Sequence, residues 1–124
     1  MFTEDDWKRR IQNALFAMSG DTLIGMVVYA FNGRSKTRHI AEIFGVYVST
    51  NHRGEGVGTR MLEYAISQIR KNRRIVKVKL AVNPEQRAAV KLYKKAGFVV
   101  VGRAKKELKV DRRFFDMLYM EKLL

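Results

Sequence analysis

Arg53-Gly54-Glu55-Gly56-Val57-Gly58-Thr59 separates an apolar, strand-like run, Ile40–Val48, from a segment with helical periodicity. In that second segment Val57, Met61, Leu62, Ala65, Ile66 and Ile69 fall on one face of a helix. A strand thus delivers the chain into a glycine-rich turn, and the turn opens a helix. Glycines let the backbone approach a ligand closely, and the first amides of a helix have no intrahelical partner. Together they form a site for an anion, a phosphate or pyrophosphate.

Several phosphate loops share this outline. A Walker A loop requires Gly-Lys-Ser/Thr at its end, and no Lys follows Gly58. A dinucleotide fingerprint requires a third glycine where Thr59 stands, and an acidic residue where the next strand ends in Asn83. What remains is Arg53-x-x-Gly56-x-Gly58. On these residues alone, a plain glycine-rich turn capping a surface helix reads equally well.

The 124 residues suit one domain spanning 1–124, with a core large enough to fold unaided. No apolar run approaches the ~20 residues that cross a bilayer, and Met1–Arg10 has no signal-peptide pattern. The absence of cysteine excludes disulfides, thiolate catalysis and Cys-rich zinc sites. His39 and His52 read as surface residues, so no metal site is expected. The expectation is a cytoplasmic protein with no membrane association. Its formal net charge of +13 attracts polyanions and repels polycations, although basic residues scattered for solubility would give the same total.

Along the chain, Thr3-Glu4-Asp5-Asp6 is a helix start, predicting a short helix over Thr3–Asn13. Leu15–Ser19 and Thr22–Phe31 read as a hairpin about Gly20-Asp21, and Arg38–Val48 as a third strand, interrupted by Gly45. A helix over Val57–Lys71 follows. In the next strand, Ile75–Val82, residues Val76, Val78, Leu80 and Val82 share a face. Asn83-Pro84-Glu85-Gln86 reads as the start of a second helix, with Asn83 as cap, Pro84 first and Gln86 at the capping-box position. Its apolar face is Ala89, Leu92, Tyr93 and Ala96, and Gly97 ends it. Strands over Phe98–Arg103 and Phe114–Leu123 close the chain around a charged loop, Lys105–Arg113. The fold class is α/β (α+β): a mixed, mainly antiparallel central sheet flanked by helices.

Three blocks in order resemble the GNAT-type N-acetyltransferase superfamily. They are the loop Arg53-x-x-Gly56-x-Gly58, then Leu92-Tyr93-Lys94-Lys95-Ala96-Gly97-Phe98 preceded by Val82-Asn83-Pro84-Glu85-Gln86, and then Asp116-Met117-Leu118-Tyr119-Met120-Glu121-Lys122. The resemblance implies acetyl-CoA as co-substrate, bound where strands Ile40–Val48 and Ile75–Val82 separate. It assigns the pantetheine arm to the backbone of Val46, Tyr47 and Val48. The pyrophosphate falls to the amides of Gly54, Glu55, Gly56, Val57, Gly58 and Thr59, with Arg53 nearby and Gln86 as a further contact. The family usually opens with another strand and helix, so the chain reads as N-terminally abbreviated or as a fragment, with the acceptor wall affected.

Amine acetylation needs a base for the ammonium and an acid for the leaving thiolate. Ala41-Glu42-Ile43 coincides with the glutamate motif of the histone-acetylating branch, which makes Glu42 the base candidate. A solvated strand glutamate paired with a Lys or Arg is the competing reading. Tyr93 is the acid candidate, against a role in packing alone. Ala81 stands where the branch acting on ribosomal protein N-termini has its glutamate, which argues against that branch. The resulting expectation is direct acetyl transfer to a primary amine in a ternary complex, or else an acyl-CoA-binding module with little activity. The positive charge favours a small-molecule or acidic amine acceptor, and nucleic acid ranks last for want of an aromatic-and-basic sheet. The uncharged Leu15–Ser19 strand presents an edge through which a homodimer could form.

Overall fold

The computed structural model describes residues 13–124. Strands β1 (Asn13–Ser19), β2 (Thr22–Phe31) and β3 (Ile40–Val48) form an antiparallel meander. Helix α1 (Val57–Arg70) crosses over to β4 (Lys77–Val82), and helix α2 (Arg87–Lys95) leads to the hairpin of β5 (Val99–Val110) and β6 (Arg113–Leu123). The sheet order is β1-β2-β3-β4-β6-β5, and only the β3–β4 pair is parallel. The helix read over Thr3–Asn13 lies outside the described residues, save that Asn13 begins β1.

One face of the sheet builds the core. Cross-strand rows place Tyr29 beside Ile43, Ile43 beside Leu80, and Leu80 beside Met120, all buried. Onto this row pack Met61, Leu62, Ala65, Ile66 and Ile69 of α1, and Tyr93 of α2. Leu62 and Ile69 are fully buried. Truncating either to Ala would cost about 2–5 kcal/mol, from lost transfer energy and the cavity left behind. The opposite face carries Glu42, Lys77, Lys79 and Glu121, joined by ion pairs of 2.8 Å (Lys77–Glu121) and 3.8 Å (Lys79–Glu42). No helix among the described residues is long and apolar enough to cross a membrane.

Four local readings are corrected. Strand β4 begins at Lys77 and the residue taken into the core ahead of it is Ile75, while Val76 is half exposed. Its amide bonds the His39 carbonyl and its carbonyl accepts from Leu124, so pairing rather than alternation orients it. The second helix starts at Arg87, not at Pro84. Asn83 caps a turn instead, its Oδ1 accepting from the Glu85 amide at 2.9 Å, and the Gln86 side chain makes no capping bond. Strand β3 begins at Ile40 rather than Arg38, because Thr37–Ile40 closes a turn. Finally, most of the charged loop at Lys105–Arg113 is strand. Ladder pairing carries β5 to Val110 through a bulge between Ala104 and Leu108, where Lys106 takes a left-handed φ of 54°.

The feature that positions the site is a fork. Strands β3 and β4 pair only from Ile40–Lys77 to Ile43–Leu80, although both continue beyond. Along the β2–β3 ladder Tyr29 faces Ile43 and Val28 faces Gly45, which leaves Phe44 as an inserted residue. A bulge bends its strand and increases its twist. This one follows directly on the last β3–β4 pair, and β3 swings away while β4 stays with β6 as far as Val82–Leu118.

Candidate active site

Past the fork, β3 ends at Val48 and the chain makes one 3-10 turn, Thr50–His52. There the Ser49 hydroxyl and His52 Nδ1 are 2.9 Å apart. The Arg53 side chain folds back, its Nε donating to the Val48 carbonyl at 3.3 Å. Gly54 and Gly56 adopt φ of 84° and 78°, which glycine alone tolerates without strain. Space around both is open, and a Cβ at either would meet nothing within 4 Å. Arg60 is the first residue whose amide bonds back into α1, to Gly56, so Val57, Gly58 and Thr59 have no intrahelical acceptor. Exposed glycine backbone and a helix N-terminus thus face one open space beside the fork, and the donor set fits a pyrophosphate.

Two glycines hold this loop against the sheet. A Cβ on Gly58 would lie 3.3 Å from Leu92 and 3.4 Å from Val48, so its absence lets α1, α2 and β3 meet. A Cβ on Gly25, in β2, would lie 2.5 Å from the Met61 sulfur and 3.0 Å from the Tyr47 carbonyl. Gly25 is missing from the sequence reading. An isolated glycine within a strand is the signal that could have found it.

Tyr93 is buried in α2, its ring edge-on to Phe98 at 6.0 Å. Its hydroxyl accepts a hydrogen bond from the Val46 backbone, so that amide faces the fork rather than β2. Burial raises the phenol pKa above its ordinary value, and the Val46 bond offsets part of that. The proton is therefore held at neutral pH.

Glu42 lies on the other face of the sheet, between the buried Ala41 and Ile43. Its side chain is 40% exposed, with Lys79 Nζ 3.8 Å away. Four strand positions separate Glu42 from Val46, roughly 13 Å at 3.3 Å per residue. The two candidate side chains therefore do not touch. They lie on opposite faces of the sheet, Glu42 within the paired stretch of β3 and Tyr93 beside Val46 past the last β3–β4 pair. Tyr47 is half exposed beyond the bulge, and Val46 and Val48 turn toward Gly58. Gln86 is exposed at the mouth of the β4–α2 turn and Glu55 is exposed in the loop.

The hairpin flanks this mouth. Its outer half has only two strands, since β4 meets β6 over Leu118–Leu123 alone. Near its turn, Arg113 pairs with Glu85 at 2.6 Å and ties the hairpin to the β4–α2 turn. Asp116 accepts from the Lys106 amide at 3.0 Å and from Arg103 at 2.8 Å, and these bonds hold its carboxyl below the usual range.

The sequence profile of the acetyltransferase (GNAT) family matches residues 1–98. The chain belongs to this family. Among its relatives, the L-amino acid N-acetyltransferase AaaT of Escherichia coli is 26% identical over 113 residues, covering 91% of this chain and 68% of that protein. The crystal structure of a GNAT-family acetyltransferase from Streptococcus pneumoniae superposes with a TM-score of 0.84 at 28% identity, covering 90% of this chain and 66% of that one. A Salmonella typhimurium protein crystallised with acetyl-CoA superposes with a TM-score of 0.80 at 21% identity, covering 90% and 64%, and shares the fold. The chain thus spans about two thirds of the length of these GNAT proteins.

Proposed function

We propose that this GNAT domain is an acetyl-CoA-dependent N-acetyltransferase acting on a primary amine by direct attack in a ternary complex. The carrying observation is the fork between β3 and β4 opening beside the glycine loop at the N-terminus of α1. The amides from Gly54 to Thr59 would hold the pyrophosphate, with Arg53 beside them. The backbone of Val46, Tyr47 and Val48 would pair with the pantetheine in the manner of an added strand, and Gln86 would be a further contact. Bound there, acetyl-CoA supplies the activated acetyl group.

Glu42 accepts a proton from the acceptor ammonium, directly or through a water, as the separation from Tyr93 requires. Tyr93 donates its phenolic proton toward the sulfur. Lys79 Nζ, 3.8 Å from the Glu42 carboxylate, sets a positive charge beside the candidate base. A small or acidic amine fits the positive charge best. The name of the E. coli relative supports this, since an L-amino acid joins an amine to a carboxylate. A cytoplasmic location is part of this reading.

The Glu42–Lys79 contact also favours a second reading, an acyl-CoA-binding module whose carboxylate is engaged by lysine. Calorimetry with acetyl-CoA, followed by coenzyme A release against a panel of amines, separates the two. Binding with release supports the enzyme, binding with no release for any amine supports the module, and no binding refutes both.

A further inference from the structure

A net charge of +13 exceeds what a pyrophosphate loop needs, and the fold collects part of the excess in one place. The connection between β2 and β3, residues 32–39, carries Arg34, Lys36 and Arg38. The connection from α1 into β4 carries Arg70, Lys71, Arg73 and Arg74. Because β3 and β4 are parallel, both segments lie where those strands begin, at the end of the sheet remote from the fork. The 2.9 Å bond from the Val76 amide to the His39 carbonyl joins them. All seven basic residues are exposed, and neither segment contains Asp or Glu. Among the described residues none of the seven pairs with a carboxylate, whereas Arg103 and Arg113 on the hairpin do.

Clustered like charges with no counter-charge raise the local potential and draw in an anion. Five of the seven are arginines, whose planar forks suit phosphate oxygens. Neither segment holds a Phe, Tyr or Trp on which a base could stack. We propose that this end of the molecule binds the phosphate backbone of a nucleic acid without reading its bases. An anionic membrane fits less well, because the large apolar side chains exposed here among the described residues are Val76 and Leu123, well short of the face a membrane-surface element buries. The patch is remote from the fork, so nucleic acid and acetyl-CoA need not compete, and the inference does not depend on the acetyl-transfer reading.

The test is fluorescence anisotropy with labelled single-stranded RNA and duplex DNA of mixed sequence, and sedimentation with phosphatidylserine vesicles. If about five phosphates are engaged, affinity between about 50 and 200 mM salt falls about a hundredfold for the single strand and about five-hundredfold for the duplex. Arg73→Glu/Arg74→Glu should weaken binding more than tenfold. Lys91→Glu/Lys95→Glu, an equal change of charge on the exposed face of α2, should change it less than threefold. Arg34→Glu/Arg38→Glu repeats the test from the other segment should the first variant lose its thermal transition. Equal losses in patch and control variants, absence of nucleic-acid binding by the unaltered protein, or tighter binding to vesicles than to either nucleic acid would each overturn the proposal.

Discussion

Tyr93→Phe separates chemistry from packing at the fork. The ring is buried and its edge-on contact with Phe98 survives the change, so hydrophobic packing is kept. What disappears is the hydroxyl and, with it, the acceptor for the Val46 amide. A buried donor left unpaired costs about 1–3 kcal/mol, and at an open gap where water can replace the phenol the lower end applies. For a domain of this size that is a fall in Tm of roughly 4 °C. Turnover should fall far more, about 10²–10⁴-fold, which is about 3–5 kcal/mol of barrier. Coenzyme A can be followed with a thiol-reactive dye without background, since the chain has no cysteine of its own. The phenol also carries a pH signature. Its folded pKa lies above the ordinary 10.0, so its contribution to stability is complete below pH 10.0 and fades as pH rises through the raised value. That alkaline loss should be absent from Tyr93→Phe. Unchanged turnover in a variant that binds acetyl-CoA normally would refute the acid role and leave Tyr93 as packing.

Four further outcomes are expected. Gly56→Asp puts a side chain and a negative charge at a φ of 78° in the pyrophosphate loop, and calorimetry should show acetyl-CoA binding abolished in a folded protein. Gly25→Ala drives a methyl against Met61 and the Tyr47 carbonyl, and should cost about 1–3 kcal/mol in denaturant melts while weakening acetyl-CoA binding. Among the described residues β1 is an edge of the sheet, and light scattering at high concentration should detect self-association, a strict monomer counting against edge pairing. In competition assays a small or acidic amine should be acetylated ahead of a lysine-rich peptide; preference for that peptide at low salt, where repulsion is least screened, contradicts the charge reasoning.

The helix Val57–Arg70 and the glycine-rich turn ahead of it were legible because each rests on local chemistry. The buried face of α1, Met61 to Ile69, is the face its periodicity marks, and Thr22–Phe31 is a strand at those limits. The readings that failed depend on partners distant in sequence. Nothing near Leu108 says that Leu108, Lys109 and Val110 will pair across to β6, and Val76 is exposed because His39 and Leu124 take its backbone groups. Asn83 is a good cap for a helix or for a turn, and local sequence does not choose between them. The sequence marks Gly45 as an irregularity, yet the inserted residue is its neighbour Phe44, since register belongs to the pair of strands. Proximity of the two basic segments is likewise a product of the crossover.

The inserted Phe44 has a thermodynamic consequence. By parting β3 from β4 it denies the backbone beyond Ile43 the ladder bonds that β4 would otherwise supply. The unliganded domain is therefore held below the stability its sheet could reach, and any molecule that lays peptide-like amides along that backbone restores the difference. Mass action sets the size of the effect, about 2.7 kcal/mol at a hundred times Kd. Melting temperature thus becomes a detector for ligands of the fork, able to rank coenzyme A derivatives by fit before any acceptor amine is known.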